Sequence, residues 1–200
     1  MVHLLDRLIA DNPDFHHLPD GTPANWAVSE AALRFLYRCL APGMSTLETG
    51  AGQTTIIFAL SGTHHVCITP QHEHTARVRA YLARQRITGT VTFIHESSDS
   101  ALVQSRLIPE VLDLVFIDGA HRFPFPCLDW HYTERRLRVG GIVGVDDCRM
   151  PSVKILHDFL CGEDEWELIE IAGQTSFFKK LGIADVTFDC RGQRINQPLY

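Results

Sequence analysis

Two glycines one residue apart, Gly50 and Gly52, stand between a predicted strand over 45–49 and a predicted helix over 54–60. A strand that passes into a helix through such a turn can bring its backbone close to a ligand, because glycine tolerates conformations closed to other residues and carries no Cβ. The arrangement commits this part of the chain to strand–helix packing of the α/β kind. Taken alone, the same pair of glycines is also satisfied by a tight turn that binds nothing.

Glycine and proline divide the remaining sequence into short apolar runs alternating with amphipathic stretches, with no internal repeat and no low-complexity segment. Ser29 is placed to cap a helix over 30–40, ended by Pro42-Gly43. Further strands are predicted over 65–69, 91–95, 112–118 and 142–145, and helices over 54–60, 73–85, 126–137 and 152–160. The run over 112–118, uninterrupted from Leu114 to Ile117, reads as a buried parallel strand. The runs over 166–172 and 175–181 flank Gly173-Gln174 and read as an antiparallel hairpin. Strand–helix units ending in a hairpin predict an α/β fold with a Rossmann-like, mostly parallel sheet, an antiparallel C-terminal hairpin and helices on both faces. A dinucleotide-binding sheet, by contrast, keeps its last strands parallel. Residues 29–181 would form this domain, 1–28 a cap or lid over the ligand, and 182–200 a polar tail serving as a loose arm or as a homodimer contact.

Composition removes several classes of function. The 200 residues, 45% of them apolar, suffice for one sizeable core, and no apolar stretch approaches the roughly 20 residues that span a bilayer. The opening residues lack the basic start and long apolar run of a secretory signal, so a cytoplasmic, membrane-free protein is expected. Six cysteines without a Cys-x-x-Cys pair read as reduced, mostly buried thiols. A net charge of -6 gives no reason to expect a nucleic-acid partner, and Arg77, Arg79, Arg84 and Arg86 read as a solvated helix face.

A dinucleotide fingerprint would need glycine at the position of Thr55 and an acid ending the second strand, where Thr69 stands. Three segments carry a different likeness: Glu48-Thr49-Gly50-Ala51-Gly52-Gln53-Thr54-Thr55, then Asp113-Leu114-Val115-Phe116-Ile117-Asp118-Gly119-Ala120-His121, then Leu137 through Gly140-Gly141 to Asp146-Asp147. In this order and spacing they resemble the class I S-adenosylmethionine-dependent methyltransferase superfamily, and within it the small-molecule group known as methyltransferase family 24. The resemblance spans about 29–181 and implies S-adenosyl-L-methionine as cofactor and a small-molecule methyl acceptor as partner. It implies that Gly50 and Gly52, with Thr49, Ala51, Gln53 and Thr54 around them, pass beneath the methionine part, while Glu48 orients its ammonium directly or through water. Thr69, with Glu73 beyond it, would lie near the ribose hydroxyls, Ser97, Ser98 and Asp99 near the adenine, and Asp118 at the methionine end. Many relatives carry a third glycine where Gln53 stands and an acid where this chain has Thr69-Pro70.

Asp118, Asp146 and Asp147 fall at the C-terminal ends of neighbouring predicted strands, the edge where open α/β sheets place ligands. Three carboxylates brought together repel unless protonated, hydrogen-bonded or bound to a cation, so Mg²⁺ is a sensible occupant and helix capping is the alternative. The set is similar to that of the metal-dependent catechol-type O-methyltransferases, where the last position is commonly an amide. His121, three residues beyond Asp118, is a candidate base for an acceptor hydroxyl, with a structural role as the competing reading. His64-His65 and His72-x-His74 invite a transition-metal reading, which is disfavoured because the first pair would point to opposite faces of a strand. Phe123 and Phe125 are the best candidates for an acceptor pocket among the aromatic residues. Together these features favour O-methylation of a hydroxylated metabolite, sugar or natural-product intermediate. The alternatives are an inactive protein that keeps the cofactor site, and an NAD-linked oxidoreductase.

Overall fold

Strand and helix alternate as the apolar periodicity requires. The computed structural model describes residues 4–18, 20–24, 26–183 and 193–199. It opens with α1 (Leu4–Asp11) and α2 (Glu30–Cys39). Ser29 starts α2: its hydroxyl accepts from the Ala32 N–H at 3.3 Å and donates to the Ala172 carbonyl at 3.1 Å, so one cap also ties the helix to the distant hairpin. There follow β1 (Ser45–Thr49), α3 (Gln53–Leu60), β2 (His64–Ile68), α4 (His72–Arg84), β3 (Val91–Ile94) and α5 (Ser98–Gln104). The second half comprises β4 (Leu112–Ile117), α6 (Phe125–Glu134), β5 (Leu137–Val145), α7 (Pro151–Gly162), and the hairpin of β6 (Trp166–Ala172) and β7 (Thr175–Lys180). A 3-10 turn, Arg194–Leu199, ends the described chain.

The strands form one seven-stranded sheet in the order β3-β2-β1-β4-β5-β7-β6, with β7 antiparallel to both its neighbours and the other pairs parallel. This is the Rossmann-like, mostly parallel sheet with an antiparallel C-terminal hairpin expected from the sequence. Strand β1 pairs with β2 on one side and β4 on the other, so the order reverses beside it and a crevice opens at the strand ends. Register places Thr49 beside Ile117 and Ile117 beside Val145, which delivers Gly50, Asp118 and Asp146 to the same edge.

Strand β4 shows why both faces are covered. Leu114 and Phe116 enter one core with Leu33, Leu36, Ile56 and Phe58, while Val115 and Ile117 enter the other with Leu102, Leu156 and Leu160. Phe177 and Phe178 divide in the same way. Among the described residues no helix is long and apolar enough to cross a membrane.

Three features depart from the periodicity. Helix α1 buries only Leu5 and Leu8, and α5 buries only Ser98, Ala101 and Leu102, apolar stripes too short to register as a period. Strand β5 begins at Leu137 rather than 142: Gly140, at φ +82°, does not stop the strand but takes up a register shift, with Leu112 opposite Leu137 and Leu114 opposite Ile142. The thiols are also more open than expected, for Cys67 is buried, Cys39, Cys127 and Cys148 are half-buried and Cys161 is exposed. Cys190 and most of the expected tail, 184–192 and 200, lie outside the described residues.

Lys180 locks the end of the sheet. Its buried ammonium donates to the Glu134 and Leu137 carbonyls and stands 3.2 Å from the Glu134 carboxylate. Lys180→Met would strand these acceptors, and removing one partner of a buried ion pair costs roughly 3 to 5 kcal/mol. Urea unfolding followed by tryptophan fluorescence should show a loss near the lower figure; a loss within experimental error would mean that the lock contributes nothing.

Candidate functional site

The glycine turn is shaped by contact with the end of β4. Gly50 has φ +92°, and a Cβ there would lie 2.1 Å from the Asp118 carbonyl oxygen, so only glycine fits. Its N–H donates to the Ile68 carbonyl at 2.9 Å, and the Asp118 N–H donates to the Thr49 carbonyl at 3.1 Å. Gly52 is different: its φ of -175° is ordinary extended backbone, and a Cβ would meet only the His16 ring, at 3.2 Å. Its glycine keeps room for the N-terminal segment rather than for an unusual backbone.

Beneath the turn lies a polar knot. Glu48 is fully buried and accepts from the Thr54 hydroxyl at 2.7 Å and from the Thr55 hydroxyl, while His65 Nε2 stands 3.2 Å from it. His65 shares a hydrogen bond with Thr46 at 2.9 Å and stacks on Phe58 at 4.0 Å. Thr55 also accepts from the Gly52 N–H at 3.0 Å. The residue that replaces a third glycine therefore clamps the turn to the acid before it.

Above the turn opens a cleft of about 810 Å³, within the range of small-molecule sites. Of the residues expected to hold a cofactor, Thr49, Gly50, Ala51, Thr69, Ser97, Ser98 and Asp118 border it. Glu48 does not, being held in the knot below. Gly52, Gln53 and Thr54 instead border a separate space of about 20 Å³, roughly one water in size, behind the N-terminal segment. Gln53 donates to Asn12 there at 2.9 Å. Glu73 and Asp99 are exposed and satisfied locally, by Arg77 and by the Ser97 hydroxyl.

The three aspartates gather as their strand positions predict, but they do not make a metal site. Among the described residues no group of three or more His, Cys, Asp or Glu has the geometry to hold an ion. Asp146 is turned to the Thr175 hydroxyl on β7. The His121 ring occupies the space between the other two, with Nε2 3.4 Å from Asp118 and Nδ1 3.5 Å from Asp147. Asp118 and Asp147 thus face an imidazole, and Asp146 a hydroxyl. Burial pushes the Asp118 pKa up to about 7, against the opposing pull of His121. Asp118 in turn raises the His121 pKa, chiefly through their hydrogen bond, and burial raises Asp146. Asp147 adopts φ +55°, a left-handed conformation that aspartate tolerates better than most residues and that sets its side chain beside the ring.

Several residues at the site carry no signal in the sequence. The N-terminal segment crosses the turn, where the His16 Nε2–H donates to the Ala51 carbonyl at 2.8 Å and the ring packs against Trp26 and His74. Arg77 secures the segment by donating to the Phe15 carbonyl at 3.1 Å. Burial lowers the pKa of His16, and lowers that of His74 to about 4. Phe125, Met150 and Gln174 border the cleft; Phe123 is exposed and does not. Asp129 on α6 is fully buried behind Gly119 and Thr49, and neither of its oxygens has a well-formed hydrogen bond among the described residues. Nothing in a helical asparagine-or-aspartate position betrays such burial, because the partner surfaces come from distant strands.

A doubly wound sheet with an antiparallel last hairpin, and a glycine turn that meets an acid across the reversal of strand order, define a class I methyltransferase. Residues 47–148 match the methyltransferase domain model of family 24, and the chain belongs to that family. No curated protein matches the sequence. Among solved structures, a proposed O-methyltransferase from Klebsiella pneumoniae superposes with a TM-score of 0.67 at 18% identity, covering 90% of each chain. A protein from Corynebacterium glutamicum gives 0.66 at 15%, over 79% of this chain and 84% of its own. The O-methyltransferase TomG from Streptomyces achromogenes, involved in tomaymycin synthesis and solved with S-adenosylmethionine, gives 0.63 at 20%, over 82% and 84%. At these identities the likeness is one of fold.

Burial raises the Asp129 pKa from 3.8 to about 6, with the Ser98 and Thr49 hydroxyls opposing it. The folded state thus holds this proton more tightly than the unfolded chain, and stability is lost as pH rises from about 4 to about 6 and is level above. Asp129→Asn lacks the loss, so its stability relative to the native chain should rise across that window by roughly 2 to 3 kcal/mol. Denaturant titrations at several pH values measure the difference; a pH-independent difference would place the shift elsewhere.

Proposed function

We propose that this methyltransferase uses S-adenosyl-L-methionine to methylate the oxygen of a small hydroxylated acceptor, with His121 taking the acceptor proton. The observation that carries this reading is the imidazole held between Asp118 and Asp147 on the edge of the cleft above the glycine turn. The cleft suits the cofactor: Gly50 leaves open backbone where a side chain could not stand, and Thr69, Ser97 and Ser98 offer hydroxyls along the wall. The cofactor supplies an electrophilic methyl group on sulfonium sulfur.

The chain's own part is positioning and proton transfer. Backbone at Thr49–Ala51 supports the methionine end, Thr69 the ribose, and Ser97 and Ser98 the adenine. Glu48 acts one layer down, holding Thr54 and Thr55 and so the turn itself. His121 Nε2 is buried 3.4 Å from Asp118, and Nδ1, 3.5 Å from Asp147, would accept the proton of the hydroxyl. Alignment of oxygen, methyl carbon and sulfur in a closed cleft contributes much of the remaining rate. The acids present do not suit a divalent cation, and no step is assigned to one. An NAD-linked reaction has no support, since Thr55 is committed to Glu48 where a dinucleotide fold would need glycine.

Calorimetry should show S-adenosylhomocysteine binding to the native chain and NAD not binding. Gly50→Ala, folded or not, should lose that binding by at least about 100-fold, since its Cβ meets backbone. Binding of NAD alone would overturn the proposal.

A base must be neutral to accept a proton, and the His121 pKa is raised above 6.5. Turnover should therefore climb with pH on the alkaline side of 6.5 and then level, as the titration of the coupled Asp118–His121 pair. His121→Asn should lower kcat by about 100-fold or more with S-adenosylhomocysteine affinity little changed. Dialysis against EDTA should leave turnover intact. A His121→Asn variant with native kcat, or activity restored only by added Mg²⁺, would remove His121 from the role.

A further inference from the structure

The glycine turn and the end of β2 are joined: the Gly50 N–H donates to the Ile68 carbonyl at 2.9 Å. In doubly wound sheets that hold a nucleoside at such a turn, the ribose falls beside the end of the strand that follows, and an acid there accepts from a ribose hydroxyl. In this chain that position is Thr69. The acids that border the cleft, Asp118, Asp146 and Asp147, follow β4 and β5, on the far side of β1 from β2. Glu73 is exposed, paired with Arg77, and does not border the cleft. At the β2 end, therefore, no carboxylate among the described residues meets the ribose.

Thr69 is not equipped to hold both ribose hydroxyls. It is 4% exposed, and its Oγ1 accepts from the Gln71 N–H at 3.3 Å. That bond turns the chain past Pro70 into α4 and brings two further side chains to the wall. Gln71, at the N-cap position, and His74, in the first turn, both border the cleft. Three residues apart at the start of a helix, they are neighbours on its surface.

Neither side chain is engaged elsewhere. Gln71 makes no capping bond, and neither its amide nor the His74 ring has a hydrogen-bond partner among the described residues. The His74 ring is held by packing, edge-on to His16 with ring centroids 4.6 Å apart, while His16 commits its own Nε2 to the Ala51 carbonyl. Burial, aided by His16 and Arg77, lowers the His74 pKa to about 4, so the ring is neutral near pH 7 and one of its nitrogens is an acceptor. The Gln71 amide oxygen is a second acceptor.

Resting on the cofactor reading above, we propose that His74 and Gln71 form an uncharged clamp for the two ribose hydroxyls of S-adenosyl-L-methionine, one hydroxyl donating to a ring nitrogen and the other to the amide oxygen. The clamp comes from the start of α4 and not from the end of β2. Through the contact with His16 it also joins the ribose to the N-terminal segment that crosses the glycine turn. Hydrogen bonds to neutral acceptors are weaker than those to a carboxylate, so each hydroxyl contributes modestly.

Calorimetry with S-adenosylhomocysteine and its 2′-deoxy and 3′-deoxy forms reads the clamp without requiring turnover. The native chain should bind each deoxy form roughly five-fold more weakly, the effect of one neutral hydrogen bond. His74→Ala should bind S-adenosylhomocysteine about five-fold more weakly and be indifferent to the loss of one of the two hydroxyls, and Gln71→Ala should be indifferent to the loss of the other. A purely structural role for either residue would weaken all three ligands alike. Native affinity unchanged by both deoxy substitutions, or a His74→Ala or Gln71→Ala chain that still shows the native loss for both hydroxyls, would overturn the clamp. A native chain that binds none of the three ligands would instead overturn the cofactor reading, and the clamp with it.

Discussion

The meeting of two backbones, at Gly50 and Asp118, governs the site. A Cβ on residue 50 would stand 2.1 Å from the Asp118 carbonyl oxygen, so the end of β1 and the end of β4 are pressed together with no side chain between them. The Thr49 carbonyl then accepts from the Asp118 N–H, and Asp118 is fixed in height above the sheet. From Asp118 the chain reaches His121 in three residues, and Ser152 on α7 donates to the His121 carbonyl at 2.5 Å, which holds the loop from the far side. The position of the imidazole is thus a consequence of a glycine seventy residues earlier in the chain.

The same turn is braced from below by groups that never meet the cleft. A carboxylate such as Glu48, wholly buried, is tolerable only if its oxygens are satisfied, and the Thr54 and Thr55 hydroxyls supply the partners, with the His65 ring 3.2 Å away. This accounts for the departures from the glycine-rich form. A glycine at 55, as a dinucleotide fingerprint has, would leave both Glu48 and the Gly52 N–H short of a partner, so here the clamp is made by side chains.

How much of this was legible in the sequence follows from the range of each interaction. Strands β2 and β4 and the hairpin are marked by local apolar runs and by Gly173, β1 by the glycine turn that follows it, and the ligand edge follows from their parallel order. Ser29 was legible as a cap, although its second bond, to Ala172, was not. Helix α5 was missed because seven residues with three buried positions carry no period. The contribution of 12–28 was seen only as a cap or lid: the contacts of Asn12 with Gln53, His16 with Ala51 and Phe15 with Arg77 join residues far apart in the chain. Asp129 was invisible for the same reason.

The carboxylates show most clearly where a motif stops short of chemistry. Their strand-end positions require that Asp118, Asp146 and Asp147 converge, and convergence requires relief from mutual repulsion. A divalent ion is one source of relief, but a sequence cannot say which source is used, because that depends on side chains arriving from elsewhere. Thr175 reaches Asp146 from the antiparallel strand, and His121 enters between Asp118 and Asp147. Each carboxylate then has its own neighbour, and burial raises the pKa of Asp118 and of Asp146. On the proposed reading, the imidazole held between two of these acids supplies a base of moderate strength for the acceptor proton.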